Sequence, residues 1–434
     1  MKVFVINQCS TNKGDRAVLF FVLRELARNG VDQITVSSSN PEYWKDKPDI
    51  PDVAVRFIPW GWDISRKKGV GLLGKVFHRV MKLIVKRRIH FPLVRNALIA
   101  GKCPWYLRFI VDREYVEAIE QADLVLSTGG HRLTTINARD AIGSQTFDMA
   151  VALLWNKPLI LWSQSIGPFD FRWPKNKLMV QKIVSNASQI FIRNKASAEE
   201  IQKMGVCRDD TLETPESVFG LYDIVKPRTR PSERSAVMGV SVYVYARRNH
   251  QLKKEENYTR CLATLVDHAI GVGYKVRFFP MELQGTDRSC IEAIINSVDK
   301  KENCEIVEGF PGTLNHINAI AQCRMFVGYK THSQIFSLVA ATPLIAIAYH
   351  KKTEDLMTQF GLYNYCIADA QLSETKLVEM FDEVNDNLDA ISQKEGQMAS
   401  EMCEKVKEDF ARMIKKFRVG RQEVVKTAEH KVQK

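Results

Sequence analysis

RMFVGYKTHSQIFSLVAATPLIAIAYHKKTEDLMTQFGL, residues 324–362, carries the clearest structural pattern in the chain. An apolar run, Met325 to Val327, stops at Gly328; a helical pattern begins at Thr331; the chain then passes through Pro343 into a second apolar run, Leu344 to Ala348. These segments predict a strand, a helix and a strand. Neither apolar run alternates with polar residues, so each suits a strand covered on both faces, as in a parallel sheet between layers of helices. Lys330 and His332 then fall in the turn between strand end and helix start. In α/β sheets that turn presents ligand-binding side chains, and the amides of the helix start attract anions.

The alternation extends in both directions. Backwards, it predicts strand Val237 to Tyr243, helix Glu256 to Gly271, strand Lys275 to Met281, helix Asp287 to Val298, strand Glu305 to Val307 and helix Leu314 to Cys323. From the N-terminus, MKVFVI reads as a strand and NQCSTNKGD as its loop, with Asp15 as N-cap of a helix ending at Gly30. VDQITVSSSNP, ADLVLS, PLILWSQ and QIFI follow as strands, with helices at about 140–155 and Ser197 to Met204. The Pro-rich, charged stretch Lys226 to Ala236 is the linker candidate. The expected division is therefore an N-terminal α/β domain (1–225) with a basic amphipathic insertion at about 64–111, a linker (226–236), a C-terminal α/β domain (237–370) and a charged helical tail (371–434) that docks through Ile414, Phe417 and Val419. A chain of 434 residues is too long for one ordinary core and suits two.

The run Gly328 to Leu362 resembles the C-terminal signature of the polysaccharide pyruvyl transferase family, especially its colanic acid branch. That signature reads Gly, any residue, Arg, any residue, His, a small-residue helix, a strand, then a Tyr and a Lys before another helix. His332, Tyr349 and Lys351 or Lys352 match it, and Lys330 stands where the family has Arg. Asn12, Lys13, Gly14 and Asp15 match the family's Asn, any residue, Gly, Asp element; Gly129 and Gly130 match its glycine-rich turn; Ser165 to Phe169 match another motif. Arg193 is followed by Asn194 where the family usually has Asp, and Glu216 holds the acidic position of a Thr-Pro-Asp-Pro-type element.

The resemblance implies two Rossmann-like doubly wound domains facing a cleft, the glycosyltransferase-B-like plan, with Arg193 approaching from one domain and Lys330 and His332 from the other. It implies transfer of a pyruvyl group from phosphoenolpyruvate to two hydroxyls of a sugar, forming a ketal and releasing phosphate, in bacterial exopolysaccharide or capsule synthesis. Phosphoenolpyruvate is the co-substrate, the acceptor is a lipid-linked oligosaccharide or polysaccharide, and no separate cofactor or metal is expected. That chemistry needs cations for a dense anion, a proton donor for the enol carbon and a base for the incoming hydroxyl. Arg193 and Lys330 suit the anion, Arg because its planar fork binds carboxylate or phosphate bidentately, Lys as a point charge. His332 suits acid or base work, since imidazole ordinarily titrates near neutral pH. Asn12, Gly14, Asp15, Gly129, Gly130, Glu216 and Lys351 complete the expected binding set.

The formal net charge of +12 is concentrated. Between Asp63 and Asp112 there is no acidic residue, while Arg66, Lys67, Lys68, Lys75, Arg79, Lys82, Lys86, Arg87, Arg88, Arg95, Lys102 and Arg108 are basic. On a helical wheel Lys75, Arg79, Lys82 and Lys86 share one face, opposite Leu73, Val76, Phe77, Val80 and Ile84. Such a helix either covers a core with a solvated face or meets a phosphate-rich partner: a lipid diphosphate acceptor or, preferred, an anionic membrane surface, where Trp60, Trp62, Trp105 and Tyr106 would sit at headgroup level. Nucleic acid is not expected, because no binding motif and no interleaving of aromatic with basic residues is present. No apolar run reaches the ~18 residues of a membrane span, and MKVFVINQCS does not read as a signal peptide. A cytoplasmic protein, peripheral on the inner face of the plasma membrane, is the expectation. The nine dispersed cysteines lack paired spacing and read as reduced thiols. Two other functions fit the same pattern: a nucleotide-sugar-dependent glycosyltransferase, and a non-catalytic scaffold of a polysaccharide assembly complex.

Overall fold

The computed structural model describes residues 1–9, 11–44, 54–61, 89–135, 144–226, 229–243, 252–282, 286–308, 312–349 and 351–432. The chain divides into two compact units: unit one is 1–10, 18–217 and 405–434, and unit two is 11–17 and 218–404. Unit one is built on β1 (Lys2–Gln8), β2 (Gln33–Ser38), β3 (Val55–Pro59), β4 (Leu124–Ser127), β5 (Gly130–Leu133), β6 (Leu159–Ile166), β7 (Gln189–Ile192) and β8 (Thr211–Glu213). They lie in the order β3-β2-β1-β4-β6-β7-β8, with β5 paired to β6, and all pairings are parallel. Unit two is built on β9 (Val237–Ser241), β10 (Lys275–Phe278), β11 (Cys304–Ile306), β12 (Met325–Gly328), β13 (Leu344–Ala348) and β14 (Cys366–Ala368). Their order is β11-β10-β9-β12-β13-β14, again parallel throughout.

In both sheets the chain grows one way from its first strand and then reverses, between β1 and β4 in unit one and between β9 and β12 in unit two. Right-handed crossovers then place the connecting helices on opposite faces, and the reversal opens a crevice at the carboxyl ends of the strands. The apolar runs become fully covered strands for this reason: every residue of Met325–Gly328 and Leu344–Ala348 is buried. Burying Leu344, Ile345 and Ile347 contributes roughly 1.5–3 kcal/mol each relative to exposure.

Several boundaries differ from the sequence expectation. The first helix spans Lys13–Arg28, and its cap is Asn12, not Asp15: Asn12 Oδ1 accepts from the amides of Gly14 (2.8 Å) and Asp15 (3.3 Å). The unit boundary falls at Ser217/Val218, and the stretch expected as a linker is packed into unit two. Arg234 is buried there, donating to the carbonyls of Thr229 (2.8 Å) and Cys323 (2.8 Å) and to Thr342 Oγ1 (3.0 Å). A guanidinium can satisfy several chain-end carbonyls at once, so a charged stretch can be structural. The C-terminal helix Leu388–Val432 contributes its residues up to Glu404 to unit two and the rest to unit one, where Phe410 meets Phe21 and Trp162 edge-on. Of its expected docking residues, Ile414 is buried and Phe417 half-buried, and the Val419 side chain lies outside the described residues. In the insertion, helix Phe91–Ala100 buries Val94, Ala97 and Leu98 in the core of unit one; Lys75, Arg79, Lys82 and Lys86 lie outside the described residues.

Candidate active site

In unit two, β12 ends at Gly328 beside β9, at the point where the strand order reverses, and the helix Thr331–Val339 starts three residues later with Lys330 at its N-cap position. Lys330 is buried, and its ammonium meets three carboxylate oxygens: Asp287 Oδ1 (2.7 Å), Asp287 Oδ2 (2.8 Å) and Glu282 Oε1 (3.1 Å). Asp287 Oδ2 also accepts from the amides of Met281 (2.9 Å) and Glu282 (3.1 Å), which fixes the turn after β10. The Lys330 ammonium stands 5.5 Å from the centroid of the Tyr243 ring. Ser241, at the end of β9, hydrogen-bonds Ser333, and Ser333 Oγ donates to the Lys330 carbonyl (2.7 Å).

The Asn12–Asp15 element joins this cluster. The Lys13 amide donates to the Met281 carbonyl (3.1 Å), and Asn12 forms an isolated antiparallel bridge with Glu282. Gly14 lies against the imidazole of His332 so closely that a Cβ added there would overlap the ring. Two helix starts, Lys13 and Thr331, thus meet at the His332 side chain. Only a residue without a Cβ permits that approach. Residues 11–17 belong to unit two although sequence reading assigned them to the N-terminal domain. Thr331 Oγ1 and Tyr349 Oη are 3.3 Å apart, and the rings of Tyr243, Tyr329 and Tyr349 pack together. Burial and Asp369 push the Tyr329 phenol far above its ordinary value, so it stays protonated. Lys351 opens the next helix and is exposed.

In unit one, Arg193 follows β7. Its Nε donates to the Ser163 carbonyl (2.7 Å) and Ser163 Oγ (3.2 Å), Nη2 donates to Glu216 Oε1 (2.7 Å), and Nη1 pairs with Glu216 Oε2. Both partners are largely enclosed, with side chains 15% and 7% exposed. Gly129 is forced by this packing, since a Cβ there would lie 2.8 Å from the Ser163 carbonyl oxygen and 2.9 Å from Arg193 Nη2. Gly130 follows with φ +135°. Asn194, the departure from the family's Asp, caps the helix Lys195–Lys203 by accepting from the Ser197 amide (3.1 Å) and hydroxyl (2.8 Å).

Of the expected site residues, the structure gathers Asn12, Gly14, Asp15, Lys330 and His332 in unit two and Gly129, Gly130, Arg193 and Glu216 in unit one. It adds residues that sequence reading missed. Asp287 was legible only as a helix start, and Glu282, one residue beyond the predicted strand, gave no signal. His316 gave no signal: it is fully buried in the helix Thr313–Ala321, edge-on to Phe279 and Phe336. Burial, aided by the Lys13 charge, pushes its imidazole well below the ordinary value, so it is neutral at physiological pH.

Two parallel sheets in which the strand order reverses, each presenting a cation at a strand end, define a glycosyltransferase-B-like α/β protein. Solved structures agree on the fold. UDP-GlcNAc 2-epimerase from Neisseria meningitidis, bound to UDP-GlcNAc, superposes with a TM-score of 0.54 at 10% identity, covering 97% of this chain and 100% of its own. HepE from Anabaena, in complex with UDP-glucose, gives 0.55 at 12% identity, covering 96% and 100%. The chain belongs to the polysaccharide pyruvyl transferase family, whose model matches residues 12–351, from the Asn12 cap to Lys351. It is 22% identical over 419 residues to the amylovoran biosynthesis protein AmsJ of Erwinia amylovora, covering 91% of this chain and 94% of that protein. Family and relative support a transferase of polysaccharide biosynthesis.

Proposed function

We propose that this protein transfers a pyruvyl group from phosphoenolpyruvate to two hydroxyls of one sugar in a polysaccharide precursor. One sugar oxygen adds to the enol carbon that bears the phosphate, while a proton goes to the methylene carbon and makes it a methyl. The second oxygen then bonds to the same carbon as that carbon's bond to the phosphate oxygen breaks; of the two hydroxyl protons released, one balances the proton given to the methylene carbon and the other leaves on the phosphate. The observation that carries this reading is the meeting of two helix starts at His332, at the strand-reversal point of unit two. His332 is the proposed acid or base. Helix-start amides are the proposed partners of the phosphate or carboxylate. Lys330 holds Asp287 and Glu282 and so fixes the helix start at which His332 stands, besides contributing to donor binding. Lys351 is a further proposed binding residue of unit two; within unit one, Arg193, Glu216, Gly129 and Gly130 are proposed binding residues in their own right.

The acceptor in this reading is a lipid-linked oligosaccharide or polysaccharide, handled by a cytoplasmic protein peripheral on the membrane; no helix among the described residues is long and apolar enough to cross one. A second reading, glycosyl transfer from a nucleotide sugar, has in its favour the same fold in proteins solved with UDP-GlcNAc and UDP-glucose. The test incubates the protein with oligosaccharide acceptors and either phosphoenolpyruvate or a panel of nucleotide sugars, reading phosphate release and acceptor mass. Acceptor-dependent phosphate release together with a gain of one pyruvyl ketal is expected. Glycosyl gain from a nucleotide sugar, with phosphoenolpyruvate inert, would overturn the reading.

A further inference from the structure

In unit one, the chain from Lys102 to Ile110 makes a helical turn ahead of β4, with the amides of Leu107, Arg108 and Phe109 donating to the carbonyls of Pro104, Trp105 and Tyr106. Leu107 is fully buried and anchors the turn, and Tyr106 and Ile110 pack against the core. Trp105 and Phe109, four residues apart and therefore on one face, point the other way. They are 76% and 79% exposed, the most exposed of the large apolar side chains among the described residues, and their rings stand edge-on 5.8 Å apart. An exposed aromatic pair held on a rigid anchor is a marker of an interaction surface.

Charge indicates which partner fits. Residues 64–111 contain twelve basic residues and no acidic one. Lys102 and Arg108 flank the pair and are exposed, with Arg108 pairing to Glu120 at 2.6 Å. Tryptophan prefers the headgroup layer of a bilayer, and clustered Lys and Arg are drawn to anionic lipid. We propose that the Trp105–Phe109 face inserts among the headgroups of an anionic lipid surface, to which the exposed Lys102 and Arg108 beside it and the basic run of the sequence draw the protein. This rests on the peripheral-membrane part of the proposed function and deepens it by naming the place of contact, which is independent of the donor.

The test needs no substrate, so its failure is separate from failure of that reading. The full-length protein is sedimented with vesicles of phosphatidylcholine alone and of equal parts phosphatidylcholine and phosphatidylglycerol. The expected result is binding to the anionic vesicles only, weakened at least about tenfold by the double variant Trp105→Ser, Phe109→Ser, whose thermal transition stays that of the wild type. Wild-type tryptophan fluorescence should also be quenched by brominated lipid, and less so in Trp105→Phe; this covers the case in which the double variant does not fold. No binding at low salt, or equal binding by wild type and double variant, overturns the proposal. So does loss of self-association in the double variant without vesicle binding by the wild type, which would make the face a protein interface.

Discussion

Both units mount a cation at the carboxyl end of a parallel strand and hold it with carboxylates, but they use different cations for it. Unit one clamps the planar fork of Arg193 on one carboxylate, Glu216, and on the backbone of Ser163. Unit two surrounds the point charge of Lys330 with two carboxylates, Asp287 and Glu282. The larger difference is what stands next to the cation. In unit two it is His332, pressed onto Gly14 where two helices start. In unit one the groups that hold Arg193 are Ser163 and Glu216, and the imidazole of His131, in β5, is engaged with the Gly167 carbonyl. The electrostatic anchor is therefore duplicated, and the arrangement suited to proton transfer occurs in unit two.

Stripping each anchor sharpens the contrast. Lys330→Met leaves two carboxylates without their cation and Arg193→Met leaves one, so each should cost about 3–5 kcal/mol in denaturant unfolding, with Lys330→Met at the upper end. A smaller cost for Lys330→Met than for Arg193→Met would break the comparison.

The glycines separate anchoring from chemistry. Gly14→Ala must displace the His332 ring and should lower turnover roughly a hundredfold, since misplacing a reacting group by ~1 Å costs that much. Gly129→Ala presses on Ser163 and Arg193 instead and should appear chiefly as lost stability, ~1–3 kcal/mol. Equal turnover of Gly14→Ala and wild type would remove His332 from the mechanism.

The smallest effect concerns His316. Its folded-state value lies below the ordinary 6.5, so the unfolded chain binds a proton more readily. Its contribution to stability is therefore full above about pH 6.5 and is lost as pH falls below that, by at most ~1.4 kcal/mol per pH unit. His316→Phe should flatten the melting temperature between about pH 5 and 7, and a wild-type profile already flat there would contradict the burial argument.

The strands of both sheets were legible where long apolar runs lay between helices, as at Leu344–Ala348, because burial on both faces leaves no polar residue in the run. The short strands β3, β5, β8 and β14 were not, since three to five residues carry no period. Lys330 and His332 were legible by their place after a strand. Their partners were not: Glu282 and Asp287 reach Lys330 from some forty residues earlier in the sequence, and Gly14 reaches His332 across more than three hundred. Arg234 misled for the opposite reason: charge and proline mark a linker in sequence, yet here the Arg234 guanidinium satisfies the Thr229 and Cys323 carbonyls.

In the proposed reaction His332 moves the proton of pyruvyl transfer. The direct measurement compares wild type with His332→Asn for acceptor-dependent phosphate release from phosphoenolpyruvate, with donor binding followed separately by thermal shift. The expected result is a rate lowered about 10²–10⁴-fold with the donor-induced shift retained. A His332→Asn protein that binds phosphoenolpyruvate and releases phosphate at the wild-type rate would contradict it.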